Sequence, residues 1–338
     1  MTEYKKILLV QTAFLGDAVL TTPLLRALKQ TYPDADIDVM CIPETANIFK
    51  FNPHINELIV FDKRNYIKRI LSIAGIIFKL KQKGYDLAVS GQISYTTSFI
   101  MLLSKIPVRL GFPRQKLMNM TIDLPKGLPI GIRYLQLMKA LTNQEFSHQT
   151  ELFWDKTTDE KAEHLLSTYR NSQEIVVGLA PGSIWKTKRW PAEYFSELLT
   201  LLDSKSIKVV LIGGPDEIEL CKLISSNARA ESLNLAGKLS ILGSAAVIKK
   251  LNLLVTNDSA PLHLANAVET DVIAIFGPTV KKFGFFPFRA KDKVLEIHLA
   301  CRPCGKHGGT KCPQKHFRCM KAITPDVVYK AVLNSLGL

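Results

Sequence analysis

The sequence predicts an α/β chain made of two parallel-sheet units, and three observations carry that prediction. Its 338 residues are about twice the roughly 150 of a common domain. Short runs of consecutive apolar residues, the mark of strands covered on both faces, alternate with stretches of helical periodicity. The same grammar restarts near the middle of the chain. At 47% hydrophobic and 22% charged residues, each half has enough apolar side chain to bury a core, which excludes disorder as a description of the whole.

The elements follow in order. Ile7–Val10 is four apolar residues and reads as a buried strand. A turn with Gly16 and Asp17 leads to a helix from Ala18 to Tyr32, with Leu20, Leu24, Leu25 and Leu28 at helical spacing. Pro33-Asp34 closes it, and Ile37–Met40 is the next strand. This βαβ opening points to a Rossmann-like sheet. Short strands recur at Leu58–Phe61 and Leu87–Ser90. The second half offers strands at Ile175–Ala180, Lys208–Ile212, Asn252–Thr256 and Val272–Phe276. Between them lie helices over Ala192–Leu202, about Asp216–Ser225, and Ser259–Val268. The polar stretch Lys156–Gln173 is the expected junction, giving domains 1–165 and 166–338.

The formal net charge is +14, but the basicity is local. Residues 61–83 are net +6, 105–116 net +4 and 281–321 net +9, so the rest of the chain is net −5. Such an excess suits an anionic partner: nucleic acid, an acidic membrane surface or a phosphorylated substrate. The first residues lack an apolar core of the roughly 7–15 residues a secretion signal needs. No apolar run approaches the 18 or so residues of a spanning helix. A cytoplasmic protein is expected.

In open α/β sheets ligands sit at the carboxyl ends of strands, which selects the polar residues that matter. In the first half this is Gln11–Asp17, where Asp17 is either a helix-start acid or a functional carboxylate. No G-x-G-x-x-G fingerprint is present, so hydride transfer is not supported. In the second half, Pro181-Gly182-Ser183 and Lys186–Pro191 precede a helix, with small residues, a hydroxyl and Lys/Arg side chains fit for an anion. Asn257-Asp258-Ser259-Ala260 opens another helix, and two such termini in one unit suit a diphosphate. Asp34, Asp36 and Asp38 alternate into a strand and read as the solvated face of a sheet edge rather than a metal site. Cys301, Cys304, Cys312 and Cys319 have the ligand count for structural zinc, with His307 and His316 among them. The spacing is shorter than a zinc ribbon's, and a compact loop of reduced thiols is the competing reading.

Together these segments resemble glycosyltransferase family 9, the bacterial ADP-heptose:lipopolysaccharide heptosyltransferases, most closely those of heptosyltransferase II type. The carrying residues are Ile7–Val10 with Phe14–Pro23, then Pro181-Gly182-Ser183 with Lys188–Pro191, Gly213-Gly214-Pro215-x-Glu217, and Asn257-Asp258-Ser259-x-Pro261-x-His263-x-Ala265. The cluster Cys301-x-Pro303-Cys304, Cys312-Pro313, Cys319-Met320 also looks like the tail of such sequences. The resemblance implies a GT-B fold: two Rossmann-like α/β/α domains facing across a cleft, the last helix returning to the first domain. It implies inverting, metal-independent transfer of heptose from an ADP-linked donor, with no cofactor required. Residue by residue it implies Asp17 as general base and Lys188 as the donor-phosphate lysine. Asp258, Ser259 and Ala260 form the diphosphate segment, with Ala260 where relatives often carry Gly. Ser183 lies near donor phosphate, Glu217 by the ribose, Leu239 at the adenine, and His263 in the same donor motif. The implied acceptor is the inner core of lipopolysaccharide, Kdo-lipid A or its heptosylated form, at the cytoplasmic face of the inner membrane. Lys63, Arg64, Arg109 and Arg114 are the candidate acceptor cations.

Two rivals are kept. One is a GT-B transferase with another acceptor or nucleotide sugar. The other is a non-catalytic zinc and nucleic-acid-binding protein, with Phe283, Phe285, Phe286 and Phe288 beside Lys281, Lys282 and Arg289 as stacking platforms. The latter leaves Asp17 and the strand–turn–helix loops without a purpose, so nucleic acid is not an expected partner.

Overall fold

The computed structural model describes residues 3–62, 66–123, 127–171 and 173–338. The chain divides into two compact units, Met1–Phe153 and Trp154–Leu338.

In unit 1 the order is β1 (Lys6–Gln11), α1 (Leu15–Thr31), β2 (Asp36–Cys41), α2 (Ala46–Phe49), β3 (Glu57–Val60) and α3 (Tyr66–Lys83). Then come β4 (Leu87–Ser90), α4 (Tyr95–Leu103), β5 (Val108–Gly111), β6 (Met120–Thr121) and α5 (Ile130–Leu135). The described strands form one sheet in the order β3-β2-β1-β4-β5-β6, each pair parallel. The order reverses between β1 and β4, the switch point where such sheets bind ligands. β1 and β4 are buried along nearly their whole length, as their apolar runs require.

Helix α1 carries Pro23 in its interior, which removes the hydrogen bond to the carbonyl of Val19. The Thr22 hydroxyl donates to that carbonyl at 2.8 Å, so the group is not left bare. Asp34 and Asp36 are exposed, as a solvated face requires, but Asp38 is not. β2 is an inner strand, and Asp38 is buried. Its carboxylate receives Lys83 Nζ at 2.8 Å, Tyr85 Oη at 2.6 Å and Asn56 Nδ2 at 2.9 Å. This is a buried carboxylate satisfied by hydrogen bonds and one ammonium, not a solvated edge.

Unit 2 runs α6 (Lys156–Ser167), β7 (Val176–Ala180), α7 (Ala192–Asp203), β8 (Lys208–Leu211), α8 (Ile218–Asn227) and β9 (Leu233–Asn234). It continues with α9 (Ile241–Lys249), β10 (Leu253–Asn257), α10 (Ala260–Ala267), β11 (Val272–Phe276), β12 (Lys293–Glu296), α11 (Arg318–Lys321) and α12 (Pro325–Leu336). Its parallel sheet has the order β12-β11-β10-β7-β8-β9, the same topology, with the switch point between β7 and β10. β7, β10 and β11 are fully buried. The core around them includes Trp190, whose ring meets Tyr194 and Phe195 edge-on, and Val328 and Val332 of α12. Helix α12 thus packs within unit 2, against α7, β10 and β11.

The junction falls between Phe153 and Trp154, upstream of the expected 165/166. Helix α6 packs on α9, and Lys250 Nζ reaches Asp159 at 3.1 Å and Glu163 at 3.2 Å. Only Ala162 and Leu166 of α6 are buried, so its sequence reads as a polar linker. The short strands β5, β6, β9 and β12 were not foreseen either. β6 and β9 have two residues each, and Lys293 and Glu296 bound the edge strand β12 with charge.

Candidate functional site

The unit 1 site stands at the β1/β4 switch point. Leu15 and Gly16 open α1, so Asp17 falls in its first turn. Gln11, the last residue of β1, pins this turn. Its Nε2 donates to Thr21 Oγ1 at 2.6 Å, and Thr21 Oγ1 donates to Asp17 O at 2.8 Å. The segment after β4 gives the second support: Thr12 N donates to Gln92 Oε1 at 2.8 Å.

The Asp17 carboxylate is half-buried and reaches a residue the sequence did not suggest. Tyr134 Oη, from α5, donates to Asp17 Oδ1 at 2.9 Å. Burial first, then the charge and hydrogen bond of Asp17, raise the Tyr134 phenol well above its ordinary value, so the hydroxyl keeps its proton and donates. A glycine makes this contact fit: a Cβ on Gly91 would sit 2.4 Å from Tyr134 Cδ1. Nothing local to Tyr134 marks it, because 117 residues separate it from Asp17.

The unit 2 site stands at the β7/β10 switch point. Asn257 ends β10 and locks the loop after β7. Its Nδ2 donates to Pro181 O at 2.8 Å, and its Oδ1 accepts from Trp190 N at 3.0 Å. Trp190 Nε1 in turn donates to Ile323 O at 2.7 Å. This fixed loop carries Ser183, which is buried and accepts Trp185 N on its Oγ at 3.3 Å. It also carries Lys188, whose Nζ lies 2.6 Å from Asp258 Oδ2. Thr279 Oγ1, following β11, donates to the same oxygen at 2.6 Å. Thr279 was missed, although the strand-end rule that selected Asp258 points to it equally.

Ser259 caps α10 with extended backbone, and its hydroxyl makes no capping bond. Ala260 is the first helical residue, so the positive dipole end of α10 lies at Ser259 and Ala260, while Asp258 N donates to Ile275 O at 3.2 Å. His263, one turn on, is buried. Burial lowers its pKa to about 4, opposed by Asp258 and assisted by Lys188, so it is neutral near pH 7. Glu217 lies on the turn between β8 and α8, with Gly214 N donating to its Oε2 at 2.9 Å. Burial raises its pKa. A Cβ on Gly182 would stand 1.6 Å from Glu217 Oε1, so only glycine leaves room for this carboxylate. The structure therefore gathers Ser183, Lys188, Glu217, Asp258, Ser259, Ala260 and His263 at the carboxyl ends of β7, β8 and β10. Leu239 is half-buried on the loop between β9 and α9.

The cysteine-rich loop buttresses this site. Thr187 N donates to Gly309 O at 3.0 Å, and Gly309 N returns a bond to Thr187 Oγ1 at 2.8 Å. The His307 ring stacks on Trp185, centroids 6.4 Å apart. Cys304, Cys312 and Cys319 line one cavity of about 40 Å³ together with Thr187. Burial raises the pKa of Cys304, and that of Cys319 to about 11. Among the described residues no three of His, Cys, Asp or Glu converge as metal ligands.

Of the acceptor cations, Lys63 and Arg64 lie outside the described residues. Arg109 is turned to its own backbone, donating to Leu117 O at 2.9 Å and Ile106 O at 2.6 Å. Arg114 is exposed between β5 and β6.

A family model described as glycosyltransferase family 9 (heptosyltransferase) matches residues 74–314. The chain belongs to glycosyltransferase family 9. It is 28% identical over 343 residues to lipooligosaccharide heptosyltransferase 2 of Campylobacter jejuni, covering 98% of each chain. Two solved structures share its whole fold. A family 9 glycosyltransferase of Veillonella parvula superposes with TM-score 0.88 at 24% identity, covering 99% of this chain and 98% of that one. The ADP-heptose lipopolysaccharide heptosyltransferase II of Escherichia coli superposes with TM-score 0.79 at 24% identity, covering 98% of both. The family 9 fold is GT-B, and the two six-stranded parallel sheets are its two Rossmann-like units.

Proposed function

We propose that this family 9 transferase moves heptose from an ADP-linked donor to the inner core of lipopolysaccharide, adding the second heptose. The observation that carries the donor half is the Lys188–Asp258 pair at the mouth of α10, on the β7/β10 switch point. An ammonium has three donors. One holds Asp258, which leaves two for a diphosphate oxygen. Asp258 and Thr279 act as the mount for Lys188. The amides of Ser259 and Ala260 add the positive end of the helix. Ser183 lies on the same loop as Lys188. Glu217, in the pocket beside Gly182, is the ribose contact, and the Leu239 backbone meets adenine.

In this reading Asp17 is the general base, and Tyr134 orients its carboxylate for the acceptor hydroxyl. The acceptor oxygen attacks the anomeric carbon as the bond from that carbon to the diphosphate oxygen breaks. The proton goes to Asp17 and the electron pair leaves with ADP. Lys188 and the α10 terminus stabilise the charge on departing ADP, so the reading requires no divalent ion. The inverted configuration follows from a single displacement. The relative named heptosyltransferase 2, matched end to end, supports the second heptose as the position added. The acceptor's anionic sugars and phosphates suit a net charge of +14, and the exposed Arg114 is the described candidate to meet them. The setting is the cytoplasmic face of the inner membrane, where that acceptor is built.

The test is incubation with ADP-heptose and a panel of truncated inner-core acceptors, with product mass as readout. One added heptose on an acceptor already bearing one is the expected result. Transfer only to heptose-free Kdo-lipid A, or to none of the panel, would reject the proposed position.

A further inference from the structure

Helix α4 is apolar on both sides. Its inner face sends Ile100 and Met101 into the core with Ile76 and Leu80 of α3. Its outer face carries Tyr95, Phe99, Leu102 and Leu103, at i, i+4, i+7 and i+8, which an α-helix gathers into one stripe. These four side chains are between 37% and 65% exposed. Phe78 of α3 is exposed as well, and Ser104 Oγ at the end of α4 donates to the O of its chain neighbour Ile77 at 3.5 Å. An exposed stripe of large apolar side chains marks an interaction surface.

The surrounding charge says what covers it. Residues 72–105 hold four basic side chains and a single acid. Lys79 pairs with Glu57 at 2.7 Å and Lys83 with Asp38 at 2.8 Å, and the acid, Asp86, is engaged by the backbone amides of Lys5 and Lys6, each at 2.9 Å, which leaves Lys81 and Lys105 as the cations beside the stripe. Lys81, one turn beyond Phe78, and Lys105, just past the end of α4, are exposed. An apolar stripe flanked by lysines matches a surface that is apolar below and anionic above, which is a bilayer of acidic lipids. A second copy of the chain fits less well, since a symmetric contact would set Lys81 and Lys105 against their own kind. No helix among the described residues is long and apolar enough to span a membrane, so the contact would be interfacial.

We propose that the α3–α4 face docks this transferase on an anionic membrane surface, with Phe78, Phe99, Leu102 and Leu103 entering the interface. The inference does not depend on the roles given to Asp17 or Lys188. It is tested by co-sedimentation with phosphatidylglycerol-containing vesicles and with pure phosphatidylcholine vesicles. The wild-type chain should partition onto the anionic vesicles, and less so in high salt. Phe99→Ser/Leu103→Ser should weaken that partition at least tenfold, since each side chain contributes about a tenfold factor when withdrawn from water. Lys81→Glu/Lys105→Glu should weaken it several-fold. Circular dichroism melting verifies that the variants fold, which substitution at exposed positions should allow. Wild-type protein that stays in the supernatant with anionic vesicles overturns the proposal. So does a wild-type dimer, by ultracentrifugation, that Phe99→Ser/Leu103→Ser converts to monomer.

Discussion

Tyr134→Phe removes one hydroxyl and keeps the ring that fills the space above Gly91. The lost bond is the 2.9 Å donation to Asp17 Oδ1. A hydrogen bond to a charged group contributes about 1.5–3 kcal/mol. Because it favours the carboxylate over the acid, its removal should raise the Asp17 pKa by about 1–2 units, at 1.36 kcal/mol per unit. The acid limb of kcat/KM should therefore move upward by about one unit. The carboxylate also loses its orientation, so kcat at the pH optimum should fall about tenfold to a hundredfold. Donor KM should change less than twofold, since Lys188 and Glu217 belong to unit 2. The assay is initial ADP release from pH 5.5 to 9 at saturating and limiting donor, with Asp17→Asn alongside. An unmoved acid limb and an unchanged kcat in Tyr134→Phe, with Asp17→Asn inactive, would refute the positioning role. Substantial turnover by Asp17→Asn would instead remove Asp17 as the base.

Other outcomes follow from unit 2. Lys188→Met should raise the calorimetric Kd for ADP at least tenfold and lower stability by about 3–5 kcal/mol, because it strands the buried Asp258 carboxylate. Lys188→Met/Asp258→Asn should recover much of the melting temperature without recovering ADP affinity; recovery of both would exclude Lys188 from donor binding. Gly182→Ala places a Cβ 1.6 Å from Glu217 Oε1, so it should displace that carboxylate and weaken ADP binding; wild-type affinity would argue against a ribose contact there. His263 is neutral when folded, with a pKa of about 4 against 6.5 when unfolded. As pH falls from 6.5 to 4 the unfolded chain takes up the proton first, so about 3 kcal/mol of stability is lost across that window. A melting-temperature profile as steep in His263→Gln as in wild type would contradict this origin. Protein purified under reducing conditions should carry well under one zinc per chain at the four-cysteine loop; stoichiometric zinc by elemental analysis would overturn that reading.

Much of the fold was legible because parallel strands buried on both faces must be continuous apolar runs. β1, β4, β7 and β10 all declared themselves that way. Short elements did not: a two-residue strand such as β9 has no period to read. Helix α6 hid in a polar stretch because it buries only Ala162 and Leu166. Among site residues, Asp258 and Lys188 stood out because each lies in a local strand–turn–helix pattern. The charge runs were less informative. Arg109 belongs to a basic run, yet its guanidinium serves the carbonyls of Ile106 and Leu117.

The sequence by itself determined the two parallel-sheet units and the strand ends that carry polar chemistry, since both depend on residues close together along the chain. Only the tertiary structure decided what those residues touch. It brought Tyr134 across 117 residues to Asp17, joined Lys188 to Asp258 and Thr279, and buried Asp38 inside a sheet where alternation alone placed it at an edge. It also left the outer stripe of α4 exposed. Composition records that a side chain is apolar or charged, whereas its environment is set by packing between segments that no local pattern connects.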